Sequence, residues 1–133
     1  MDTNIGKLNI GFGWAWLLLG ILEAVFIGLF AFQSDWLGGF VALTRRLVIL
    51  SHIAFMALSI VNIIYGLCLP AANLSNNLKK TGSYCMVLAS ISMPILCLLS
   101  AWNSFFQNLF FIPVVCFLIA VVVMIIGQFK SEI

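Results

Sequence analysis

Four long apolar runs parted by three short polar breaks set the pattern of this chain, at about 12–32, 40–69, 83–102 and 109–129. The breaks read QSDWLGG, PAANLSNNLKKTG and WNSFFQN. An α-helix rising about 1.5 Å per residue crosses the roughly 30 Å hydrocarbon core of a bilayer in about 20 residues. Each run is at least of that length. The pattern therefore predicts an all-α integral membrane protein, a four-transmembrane-helix bundle forming one domain over residues 1–133, with both termini on the same side.

Within the first run, Gly20, Ala24 and Gly28 repeat every four residues, the small-xxx-small spacing that lets two helix backbones approach closely. Glu23 adjoins that face and should point into the bundle, since a carboxylate facing acyl chains is costly. Asp2 offsets Lys7, Glu23 interrupts the apolar stretch and no A-x-A pattern follows, so the run reads as a retained helix and not as a signal peptide. Ahead of it, Ile5, Leu8 and Phe12 recur at helical spacing in a lead expected to lie along the interface, with Trp14 and Trp16 at aromatic-belt depth.

The second run is the most polar along one side. Arg45, His52, Ser59 and Gly66 fall seven apart on one stripe with Asn62 on its flank, opposite Leu47, Leu50, Ile53, Leu58 and Ile64. Such a helix belongs against partners in a bundle, with Gly66 as a close-approach point. Arg45 and Arg46 fall in the headgroup layer, where with Trp36 they anchor the helix or hold an anionic lipid headgroup or a quinone-like ligand. In the third run Ser83, Ser90 and Cys97 share a stripe, and Pro94 frees the Ser90 carbonyl. A membrane helix tolerates such a packing kink when a hydroxyl, a water or a neighbouring helix satisfies the freed group. In the fourth, Pro113, Ala120 and Gly127 lie seven apart.

Composition narrows the class. The chain is 64% hydrophobic and 8% charged, against roughly 25% charged residues in soluble domains. Its formal charge of +2 includes no basic run able to track a phosphate backbone, which excludes nucleic-acid binding. Cys68, Cys85, Cys97 and Cys116 form no CxxC pair, so neither a zinc site nor a disulfide framework is expected. Lys7, Lys79, Lys80 and Lys130 fall on one side of the membrane against Arg45 and Arg46 on the other, which favours cytoplasmic termini and a bacterial inner membrane. Asn73-Leu74-Ser75 matches a glycosylation sequon, which matters only in a lumenal loop.

Candidate chemistry centres on two side chains. Counting along the helices puts Glu23 near the midplane and His52 about 9 Å outside it, within reach of each other only through water or a tilt. A carboxylate and an imidazole could relay protons; the alternative is a pair of polar groups hydrogen-bonded between helices for specificity. His52 could also ligate a b-type haem, with Met86, Met93 or a partner chain supplying the second ligand. No G-x-S-x-G, phosphate loop or second histidine is present, so catalysis and a resident metal are not expected.

The lone glutamate midway along the first helix, in LGILEAVFIG, resembles that of the small multidrug resistance transporters, which implies exchange of protons for cationic drugs. The likeness covers about ten residues. Arginines and a histidine in the second helix, and Phe26 to Leu29 where that family carries polar residues, depart from its pattern. The residues themselves point first to a non-catalytic subunit or assembly component of a membrane complex, packed against other subunits or further copies of itself. Second comes a proton-coupled small transporter working through Glu23, and third an electron-transfer subunit using His52.

Overall fold

The structure, a computed structural model, describes residues 4–30 and 33–130. Across them the regular structure is helical: α1 (Lys7–Phe30), α2 (Leu43–Cys68), α3 (Asn76–Trp102) and α4 (Phe111–Phe129), joined through short 3-10 turns at Trp36–Gly38, Leu69–Ala71 and Ser104–Leu109. All four helices are long and apolar enough to cross a membrane. The short connections make successive helices alternate in direction. One end of the bundle gathers the start of α1, the α2–α3 turn and the end of α4, with all four lysines; the other holds the α1–α2 and α3–α4 connections and both arginines. These are called the lysine end and the arginine end below.

The helices overrun their apolar cores. α1 begins at Lys7, so the amphipathic lead forms its first turns, and α3 begins at Asn76, so LKKTG is helical. Hydropathy reports depth in the bilayer, whereas helix starts follow caps, here Ser75 preceding α3. Residues 31 and 32, expected to close the first helix, lie outside the described residues, as does the tail after Lys130. The α1–α2 connection turns through three successive left-handed residues, Leu37, Gly38 and Gly39, at φ of 51°, 83° and 93°.

α2 and α3 form the centre, with α1 packed chiefly on α2 and α4 chiefly on α3. The outer faces of α1 and α4 are uninterrupted hydrocarbon, for instance Leu18, Leu22, Val25 and Leu29 on one and Val114, Leu118, Val122 and Ile125 on the other. In a bilayer these faces meet lipid or other helices. On the inner side, the Tyr65 hydroxyl donates to the Ala120 carbonyl at 3.1 Å, tying α2 to α4 within a cluster of Tyr65, Leu69, Met86 and Ala120.

The seam between α1 and α2 is glycine-lined, but its period is seven and not four. A Cβ on Gly13 would stand 2.6 Å from Ile63 Cγ1 and 2.8 Å from the Ser59 carbonyl oxygen, and one on Gly20 would stand 2.9 Å from Met56 Sδ. Gly6, at φ +102°, closes against Gly66 at the lysine end. Residues seven apart on a helix drift only about 20°, whereas Gly28 has turned about 80° from Gly20. Ala24 is accordingly half-buried, and Gly28 is exposed with open space around it. Gly20 and Gly66 serve the seam; Gly28, expected in it, does not.

Candidate functional site

The same seven-residue period builds a polar spine between α1, α2 and α3. α1 and α3 run parallel, and two cross-helix bonds repeat at a constant offset: the Asn9 amide donates to the Ser83 carbonyl at 3.2 Å, and the Trp16 indole donates to the Ser90 carbonyl at 3.0 Å. Asn62, from α2, joins the two levels. Its oxygen accepts from Asn9 at 2.9 Å, and its amide donates to the Leu58 carbonyl at 3.1 Å and to the Ser90 hydroxyl. The Ser83 hydroxyl donates to Asn9 Oδ1, and that of Ser90 to the Met86 carbonyl at 2.9 Å. Asn9, Asn62, Ser83 and Ser90 are buried, and each side-chain polar atom among them has a partner.

The Trp16 bond answers the question that Pro94 raises. Without an N–H at Pro94 the Ser90 carbonyl has no intrahelical donor, and the neighbouring helix supplies one. Trp16 is therefore turned inward, stacked on Phe12 and packed at a tilt against Phe55, while Trp14 remains exposed. The expectation that both indoles sit in an interfacial belt fails for Trp16, because residue 16 falls on the same stripe as Asn9 and Glu23.

One step further along that stripe the spine changes character. Glu23 Oε2 lies 3.7 Å from His52 Nδ1, with the two side chains 17% and 24% exposed. The buried Ser51 hydroxyl sits beside the same carboxylate without hydrogen-bonding geometry. Glu23 Oε2, His52 Nδ1, Ser51 Oγ and, nearer the arginine end, Ser100 Oγ are buried with no hydrogen-bond partner among the described residues. Direct apposition of Glu23 and His52 corrects the 9 Å offset expected from the apolar runs. Measured from the real helix centres, Glu23 lies about 7 Å and His52 about 5 Å toward the arginine end, so antiparallel packing brings them level.

The other candidates are distributed around this core. Ser59 is buried and its hydroxyl donates back to the Phe55 carbonyl, next to the Gly13 contact. Arg45 is only 3% exposed; it donates to the Gln33 carbonyl at 3.2 Å and its guanidinium lies 3.9 Å from the Phe40 ring centre and 5.4 Å from that of Trp36. That arginine fastens the α1–α2 connection, whereas Arg46 is exposed. Met86 packs with Tyr65 and Ala120, and Met93 lines a cleft between α2, α3 and α4, so both face the α4 side while His52 faces α1. Neither methionine is placed to share a haem with His52. The four cysteines are free thiols. Asn9, Ser51 and Tyr65 escaped the sequence reading; Asn9 was legible only as a residue seven before Trp16 and fourteen before Glu23.

Clefts on the described surface include an apolar one at Met93, of about 210 Å³, one between α2 and α4 at Tyr65 and Met124, and a mixed one at the lysine end, of about 260 Å³. Glu23 and His52 line none of them. In comparisons with known proteins, no family model, no curated sequence and no solved structure matches the chain. The short likeness to small multidrug resistance transporters around Glu23 thus has no family match behind it.

Proposed function

We propose that this small multi-pass membrane protein is a non-catalytic subunit or assembly component of a larger membrane complex, oriented with cytoplasmic termini. The carrying observation is the spine: the polar side chains from Asn9 to Ser90 are spent on one another, and the Trp16 indole occupies the Ser90 carbonyl that Pro94 leaves without an intrahelical donor, which supports a fixed packing element. Outside it, the hydrocarbon faces of α1 and α4 are surfaces on which further transmembrane helices can pack. Purification from native membranes in mild detergent, followed by cross-linking and mass spectrometry, tests the reading. A membrane protein recovered in constant stoichiometry is the expected result; a chain that purifies alone and reconstitutes a proton-linked flux overturns it. Reporter fusions after Asn77 and after Asn103 test the orientation, with a cytoplasmic signal expected from the first and an external one from the second.

One observation favours a second reading, a proton-coupled transporter working through Glu23. Its Oε2 faces His52 Nδ1 at 3.7 Å with neither atom hydrogen-bonded, which sets a carboxyl group and an imidazole side by side inside the bundle. Flux in proteoliposomes that Glu23→Gln abolishes would establish it.

A further inference from the structure

The mixed cleft at the lysine end opens between the first residues leading into α1 and the first turns of α3, lined by Asn4, Ile5, Leu8, Lys80, Ser83 and Tyr84. Its side chains divide by chemistry. Ile5 and Leu8 give an apolar side; Lys80, Tyr84 and Asn4 bring an ammonium, a phenol and a carboxamide. Two neighbouring lysines are already engaged, Lys79 with the Pro70 carbonyl and Lys7 with Asn4 Oδ1, at 3.1 and 3.0 Å. Lys80 has no hydrogen-bond or ion-pair partner among the described residues. Because an ammonium only donates, Lys7 fixes which end of the Asn4 amide faces it and leaves the NH2 of Asn4 as a donor for the cleft. Among the described residues the carboxylates lie elsewhere, Glu23 well along α1 and Asp35 at the arginine end, while all four lysines stand at this end.

Depth adds the second constraint. Lys80 stands about 6 Å into α3 and Tyr84 one turn deeper, the layer where snorkelling lysines and belt tyrosines meet lipid phosphates. We propose that this cleft binds a phosphate ester, and specifically the headgroup of an anionic glycerophospholipid. Lys80, Tyr84 and Asn4 donate to the phosphate oxygens, while Ile5 and Leu8 lie against the glycerol and the first methylenes. The anionic-headgroup site thereby moves from the arginines, where the sequence suggested it, to the opposite leaflet.

Native mass spectrometry of the full chain in mild detergent tests this, with titrations of phosphatidylglycerol, phosphatidylcholine and glycerol 3-phosphate. Phosphatidylglycerol is expected to bind one to one and more tightly than phosphatidylcholine, with affinity falling about fivefold in Lys80→Ala and more than about tenfold in Lys80→Glu. The exposed Arg46→Glu change, at the far end, leaves it unaltered. If glycerol 3-phosphate binds as tightly as the lipid with the same dependence on Lys80, the phosphate site stands and the lipid as its source is overturned. If phosphatidylglycerol binds equally to Lys80→Glu and to the unaltered chain, or is lost equally in Arg46→Glu, the site is overturned.

Discussion

Two halves of one polar spine stand in contrast. From Asn9 to Ser90 three helices exchange hydrogen bonds until each buried side-chain polar atom is matched; nearer the arginine end the same three helices carry a carboxylate, an imidazole and two hydroxyls, those of Glu23, His52, Ser51 and Ser100, whose buried atoms are unmatched. Both halves are built from the same three helices. The difference lies in side-chain chemistry. A carboxamide offers donor and acceptor together and can satisfy neighbours on two helices, as Asn62 does, whereas a carboxylate and an imidazole match only in particular protonation states. In hydrocarbon the matched half specifies which helices meet and in what register; the unmatched half is where protonation, a partner's side chain or water can change the energy.

The strongest way to break this contrast is to part the helices that carry it. Gly13 lies within the matched half, between Asn9 and Trp16, and Gly13→Leu should push α1 off α2 against the Ser59 backbone, lowering stability by about 3 kcal/mol. Gly28→Leu, with open space around it, should stay within about 0.5 kcal/mol of the unaltered chain. Unfolding in detergent titrated with dodecyl sulfate measures both, and equal losses would return the seam to the four-residue spacing. Next in size is Asn62→Leu, which strips the matched half of its hub and leaves Asn9 and Ser90 each short of a partner; about 2 kcal/mol is expected in the same assay.

Smaller and sharper is a cycle on the proline. Trp16→Phe should cost about 1 kcal/mol by leaving the Ser90 carbonyl without a donor. Pro94→Ala restores an intrahelical N–H for that carbonyl, so adding it to Trp16→Phe should recover about half of the loss or more. Strictly additive effects would mean that the indole bond does not answer the proline.

How much of this was legible in the sequence depends on which spacing was read. The four helices and shared termini follow from apolar run length, and the stripes of α2 and α3 follow from residues seven apart. Asn9 was obscured because it lies in a lead whose polarity suggested an interfacial segment, although a helix can start in the headgroup layer and continue inward. Glu23 and His52 seemed misaligned because apolar runs, and not helix ends, were used to find the centres. The Gly20, Ala24 and Gly28 motif is persuasive locally, yet Gly13 and Gly20, seven apart, are the pair that stays on a single stripe of α1, with Gly6 closing the seam just ahead of the helix.

The smallest effect separates the halves most directly. Glu23→Gln changes the unmatched half by one heavy atom while keeping its shape. Removing a carboxylate whose Oε2 makes no hydrogen bond leaves no donor stranded, and His52, unlike a lysine, can stand neutral beside an amide. The variant should therefore lie within about 0.5 kcal/mol of the unaltered chain, far less than Asn62→Leu costs, with a small gain allowed because buried ion pairs repay their desolvation poorly. A loss as large as that of Asn62→Leu would mean that the carboxylate is firmly held and that the two halves do not differ. Complex assembly measured on the same variant then divides the functional readings. A packing subunit assembles normally with glutamine at position 23, whereas a proton-coupled transporter folds equally well but loses its flux, so stability and transport must be measured on one preparation for the distinction to hold.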